Sequence, residues 1–67
     1  MEILVNGKRR IVDDGATVSD LIDELGLEGR IAVELNGEII PRSEHAAQTF
    51  SVGDKLEIVH AIGGGGL

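Results

Sequence analysis

Only the stretch from Thr17 to Gly26 has the full period of an amphipathic helix, so the rest of the chain has to cover one helix face. Val18, Leu21, Ile22 and Leu25 fall at i, i+3, i+4 and i+7. That spacing puts them on one side of a helix, with Asp20, Asp23 and Glu24 on the other. Thr17-Val18-Ser19-Asp20 has the form of a capping box, with Asp in place of the usual Glu or Gln, so the helix is predicted to begin at Thr17. Gly26 is placed to take the left-handed cap that stops it. One apolar helix face needs one sheet face against it.

The flanking segments supply the strands. Met1, Ile3 and Val5 alternate with Glu2 and Leu4, which predicts a strand over Met1–Val5. Asn6-Gly7 is a strong hairpin signal, because both residues tolerate positive φ. Lys8–Val12 is then the return strand, and Asp13-Asp14-Gly15 a loop. Ile31–Leu35 reads as the next strand, with Ile31, Val33 and Leu35 on one face. Asn36-Gly37 makes a second tight turn into a short strand, Glu38–Ile40. Pro41 cannot donate to a ladder, so that strand ends there or lies at an edge. A helical turn is predicted near Glu44–Ala47, a turn at Val52-Gly53-Asp54, and a last strand over Lys55–Ile62. The order is strand, strand, helix, strand, short strand, strand. It predicts an α+β fold, a mixed sheet of four to five strands around one main helix, with the first and last strands parallel at its centre.

The 67 residues make one domain, with little room for a deep catalytic pocket. Phe50 is the only aromatic residue, so Ile, Leu and Val must build the core. Twelve acidic against six basic residues give a net charge of -6. That argues against nucleic acid as a partner and favours a basic protein surface. The absence of cysteine excludes a disulfide scaffold, a thiolate zinc site and a thiol nucleophile. No segment has the length and hydropathy of a membrane span and none has the pattern of a signal peptide, so a cytoplasmic protein is expected. His45 and His60 make a weak metal set and are given no catalytic role. Asp13, Asp14, Asp20, Asp23 and Glu24 read as a loop and a solvated helix face. Leu4, Val59 and Ala61 have the opposite parity to the core set. They are either scattered surface residues or one apolar patch on the open sheet face.

Ile62 leads into Gly63, Gly64, Gly65 and Gly66, followed by Leu67. Four glycines have no use in a small core, since they pack nothing and lose the most backbone freedom on ordering. After an apolar strand they read as a flexible arm, residues 63–67, carried by a head of residues 1–62.

Taken with the strand order, the segments Asn6-Gly7, Thr17-Val18, Asp20-Leu21-Ile22, Val33 to Asn36, Ile40-Pro41-Arg42, Gly53-Asp54 and Glu57-Ile58-Val59-His60 before the glycines give a sequence that resembles the ubiquitin-like β-grasp sulfur carriers, most closely the ThiS family of thiamin thiazole biosynthesis. The resemblance covers the whole chain. It implies a β-grasp head that is a protein cosubstrate, not an enzyme, and a monomer when free. It also implies a C-terminal glycine that is adenylated and converted to a thiocarboxylate. The implied partners are an E1-like adenylating enzyme of ThiF type, a thiazole synthase of ThiG type and a sulfur donor such as a cysteine desulfurase persulfide. ATP and Mg2+ belong to the adenylating enzyme, and the chain itself has no cofactor. The family ends in a free Gly-Gly carboxylate, whereas Leu67 follows here. It is read first as an appended residue, which assigns the working carboxylate to Gly66, then as part of a precursor that a protease trims, and last as the mark of a carrier that has lost its chemistry. Such carriers dock through the open sheet face, so Leu4, Val59, Ala61 and Ile62, with Arg42 at the rim, are the expected partner contacts. Other readings are a carrier for molybdopterin or amino-acid synthesis, a ubiquitin-like modifier of lysines, and a pure interaction domain with an idle tail.

Overall fold

A computed structural model describes residues 1–60. Its elements are β1 (Glu2–Val5), β2 (Lys8–Ile11), α1 (Val18–Leu25), β3 (Ile31–Leu35), β4 (Glu38–Ile39), a 3-10 turn at Arg42–Glu44, and β5 (Lys55–His60). The five strands form one mixed sheet in the order β2-β1-β5-β3-β4. β1 and β5 run parallel at the centre, and the remaining pairs are antiparallel.

Both hairpins turn where Asn-Gly stands. Asn6 and Asn36 have φ of 51° and 52°, and the glycines after them 83° and 87°. Positive φ at both central residues matches the right-handed twist of the strands that the turn joins. Helix α1 has the expected termini. The Thr17 side chain accepts the Asp20 N–H while the Asp20 carboxylate accepts the Thr17 N–H, closing the capping box. Gly26 takes the left-handed cap, with φ of 70°.

The helix lies against one face of the sheet. Ile3, Val18, Leu21, Val33 and Leu56 are almost fully enclosed, and Phe50, Val12, Leu35 and Ile58 complete the core. Ile22, Leu25 and Ile31 pack on its margin.

The differences from the sequence expectation lie at element ends. The helical turn expected at Glu44–Ala47 begins earlier, at Arg42, because the Pro41 carbonyl already accepts the Glu44 N–H; turns then continue to Ala47. β4 stops at Ile39, although the Ile40 N–H still reaches the Val33 carbonyl. Pro41 prevents further pairing. The last two residues of the expected final strand, Ala61 and Ile62, and the whole glycine arm lie outside the described residues.

Candidate functional site

The residues expected to form the arm follow β5 in the sequence, so the candidate site is built on whatever fixes that strand. On one side β3 pairs with β5 along its length, from Leu35 opposite Leu56 to Ile31 opposite His60. On the other side the β1 backbone pairs only at Leu4 with Lys55 and Val5 with Leu56. Asparagine side chains continue the hold. The Asn6 N–H donates to the Leu56 carbonyl at 2.9 Å. The Asn6 carboxamide then reaches Ile58: Oδ1 accepts its N–H at 2.8 Å and Nδ2 donates to its carbonyl at 3.1 Å. Asn36 acts at the start of β5, where its Oδ1 accepts the Lys55 N–H at 2.9 Å while its Nδ2 donates to the Asp54 carboxylate at 3.0 Å. The asparagines of the two Asn-Gly turns thus hold one strand at its first residue, Lys55, and at Ile58. The sequence shows the turns through the dipeptides; the clamps depend on pairings 52 and 19 residues apart that no local pattern reveals.

On the open face, the register places Val59 directly opposite Ala32 and Glu57 directly opposite Glu34. Val59 is 58% exposed. Leu4 lies on the same face but opposite Lys55 on β5 and Arg9 on β2. Four residues of β5 separate the Lys55 level from Val59, about 13 Å of strand. Leu4 and Val59 therefore share a face without touching, with Lys55 and Glu57 between them. Arg42 is elsewhere, in a cleft on the helix side with Ser19, Asp23, Ile31 and His45. His60 ends β5 exposed. Ala61, Ile62, Gly63, Gly64, Gly65 and Gly66 fall outside the described residues.

His45 differs from its companion. It is buried, its Nε2 sits 3.1 Å from the Ile40 carbonyl, and its own carbonyl accepts the Ser19 N–H of the first helical turn. This is a structural position, and a polar residue in an irregular segment gave no sign of it. Among the described residues no three His, Asp or Glu side chains converge as metal ligands. No helix among them is long and apolar enough to cross a membrane.

The family comparison decides how this strand and arm are to be classified. The profile of the ThiS family matches residues 3–65, from the first strand into the glycine run. The chain belongs to the ThiS family. The crystal structure of the thiamine biosynthesis protein ThiS from Geobacter metallireducens superposes with a TM-score of 0.79 at 38% identity, covering 97% of this chain and 100% of that one. The solution structure of a thiamine biosynthesis protein from the same organism gives 0.75 at 37% identity, over 100% of this chain and 91% of that one. Two curated relatives are named thiazole synthase. The one from Paramagnetospirillum magneticum is 47% identical over 66 residues, and the one from Magnetococcus marinus 35% over 66 residues. In each case the match takes 97% of this chain and 20% of the relative. The chain therefore spans a fifth of the length of these relatives. The five-stranded mixed sheet with one main helix is the β-grasp fold of ThiS.

Proposed function

We propose that this ThiS-family chain is a sulfur carrier for the thiazole of thiamin. The observation that carries the reading is the family match running into the glycine run, at the end of a strand held by its neighbours. A carboxylate is a poor electrophile. In the proposed cycle the Gly66 carboxylate, freed by hydrolysis of the Gly66–Leu67 peptide bond where Leu67 is present, attacks the α-phosphorus of ATP in an E1-like adenylating enzyme of ThiF type, releasing pyrophosphate. A persulfide delivered by a cysteine desulfurase attacks the acyl adenylate and AMP leaves. A second thiol cleaves the acyl disulfide and leaves a thiocarboxylate on Gly66. That sulfur is then donated in a thiazole synthase of ThiG type. No cysteine stands among these 67 residues, so no side-chain thiol here competes with the glycine carboxylate for that role.

In this reading Gly63, Gly64 and Gly65 form the tether. Five residues from Ile62 to Gly66 span at most about 17 Å, enough to enter a neighbour's pocket with the head outside. Side chains there would clash with a narrow channel and restrict the backbone. Val59, continued by Ala61 and Ile62, would make the contact nearest the arm, with Leu4 and Arg42 as separate outlying contacts. The name thiazole synthase on both curated relatives favours thiazole over a molybdopterin or amino-acid acceptor, and over conjugation to lysines.

The test is intact-mass spectrometry of chain ending at Gly66 after incubation with the adenylating enzyme, ATP and a sulfur source. A mass gain equal to one oxygen replaced by sulfur is expected. No gain, with the enzyme shown active on another carrier, overturns the reading. The chain retaining Leu67 should stay unchanged, because its Gly66 carbonyl is in a peptide bond.

A further inference from the structure

We infer that Asn6 is a positioning residue for delivery of the C-terminal glycine, acting through Ile58; the inference rests on the carrier reading above. The β1 backbone turns away at Asn6, where φ is 51°, so it cannot follow β5 any further. The carboxamide supplies the next rung in its place. It offers Ile58 both an acceptor and a donor, as a peptide unit of a longer β1 would. Ile58 is in consequence the last residue of β5 seen to be held from both sides. His60 is paired from the β3 side through Ile31. On the opposite side lies a hollow bordered by Val5, Leu25, Leu27 and His60.

The position of this hold matters for an arm drawn into a neighbour's channel. Once a channel holds the arm extended over roughly 17 Å, its glycines no longer absorb a tilt of the root, and a tilt of about 10° then corresponds to about 3 Å at its end. A misplacement of even 1 Å at reacting atoms can cost a factor of roughly a hundred in rate. Asn36 provides the internal comparison. Its Oδ1 accepts a backbone N–H of the same strand, but at Lys55, at the end remote from the arm, and its Nδ2 goes to the Asp54 carboxylate instead of a β5 carbonyl. A loss that followed stability alone would scale with the urea midpoints of the two variants.

The experiment compares N6G and N36G, each in chain ending at Gly66. Glycine keeps the positive-φ turn and removes only the clamp. Adenylation is followed by ATP–pyrophosphate exchange with the adenylating enzyme, and urea unfolding at the assay temperature establishes that both variants are folded there. N6G is expected to lower kcat about tenfold with KM for the chain within about twofold, and N36G to leave both unchanged. N6D, which retains the acceptor for the Ile58 N–H but sets a carboxylate oxygen against the Ile58 carbonyl, should fall at least as far as N6G, and it replaces N6G if that variant does not fold. Equal effects of the two clamps overturn the inference. So does a rise in KM alone for the Asn6 variants, which would make Asn6 a docking contact. Failure of the wild-type chain to be adenylated, by an enzyme active on another carrier, instead removes the carrier reading itself.

Discussion

Glu34 and Glu57 stand directly opposite each other on the exposed face of β3 and β5, and among the described residues neither has a cation within ion-pair distance. Like charges in that relation repel, at a cost of roughly 0.2–1 kcal/mol. Glu57→Gln should therefore raise stability by about 0.5 kcal/mol, read as a higher urea midpoint at unchanged m-value; a lower midpoint would show that the pair is neutralised. Leu21 lies at the other extreme, 2% exposed beneath the helix. Leu21→Ala should cost about 3 kcal/mol, a large part of the roughly 3–10 kcal/mol available to a domain of this size, and chemical denaturation would detect it. The inward placement of Leu21 and Val18 follows from their spacing alone, because a helix repeats every 3.6 residues. The carboxylate pair was not readable in that way. Period two puts Glu34 and Glu57 on the same face, but only the register makes them neighbours. The same limit hid the asparagine clamps and the burial of His45, since each is a contact between segments distant in sequence.

Helix α1 is short, eight residues, and isolated helices of that length are marginal in water. Its N-terminus is secured from two directions. Thr17 and Asp20 form the capping box, and the free N–H groups of Val18 and Ser19 donate to the carbonyls of Gln48 and His45. The irregular segment before β5 thus supplies acceptors that an α-helix start lacks. Thr17→Ala should cost about 1 kcal/mol, while Thr17→Ser should restore most of it, because the hydroxyl acceptor returns. Thermal melts of the two variants give the comparison, and equal melting temperatures would mean that the tertiary carbonyls suffice without the box. The helix and its cap were legible in the sequence because a capping box is local: donor and acceptor are three residues apart. The helical turn expected at Glu44–Ala47 forms, but it is preceded by a 3-10 turn at Arg42–Glu44 because Pro41 contributes its carbonyl, a detail that composition does not specify.

The net charge of -6 is large for 67 residues, and the described residues offset it with few contacts. Arg10 Nη2 meets Glu24 at 2.9 Å, and the N-terminal ammonium lies 3.7 Å from Asp14. Both pairs are at the surface, where an ion pair contributes little. Self-repulsion among twelve carboxylates should then outweigh the attractive pairs. Salt screens exposed charges strongly, with a Debye length falling from about 30 Å at 0.01 M to 3 Å at 1 M. The melting temperature should accordingly rise between 10 mM and 0.5 M sodium chloride, by roughly 4–8 °C if screening recovers about 1 kcal/mol. Differential scanning calorimetry at neutral pH measures this directly. A melting temperature that falls with salt would show that the two ion pairs, rather than the excess of carboxylates, dominate the charge balance. Association with any basic partner surface should respond in the opposite direction, since the same screening removes the attraction that steers an acidic domain to it.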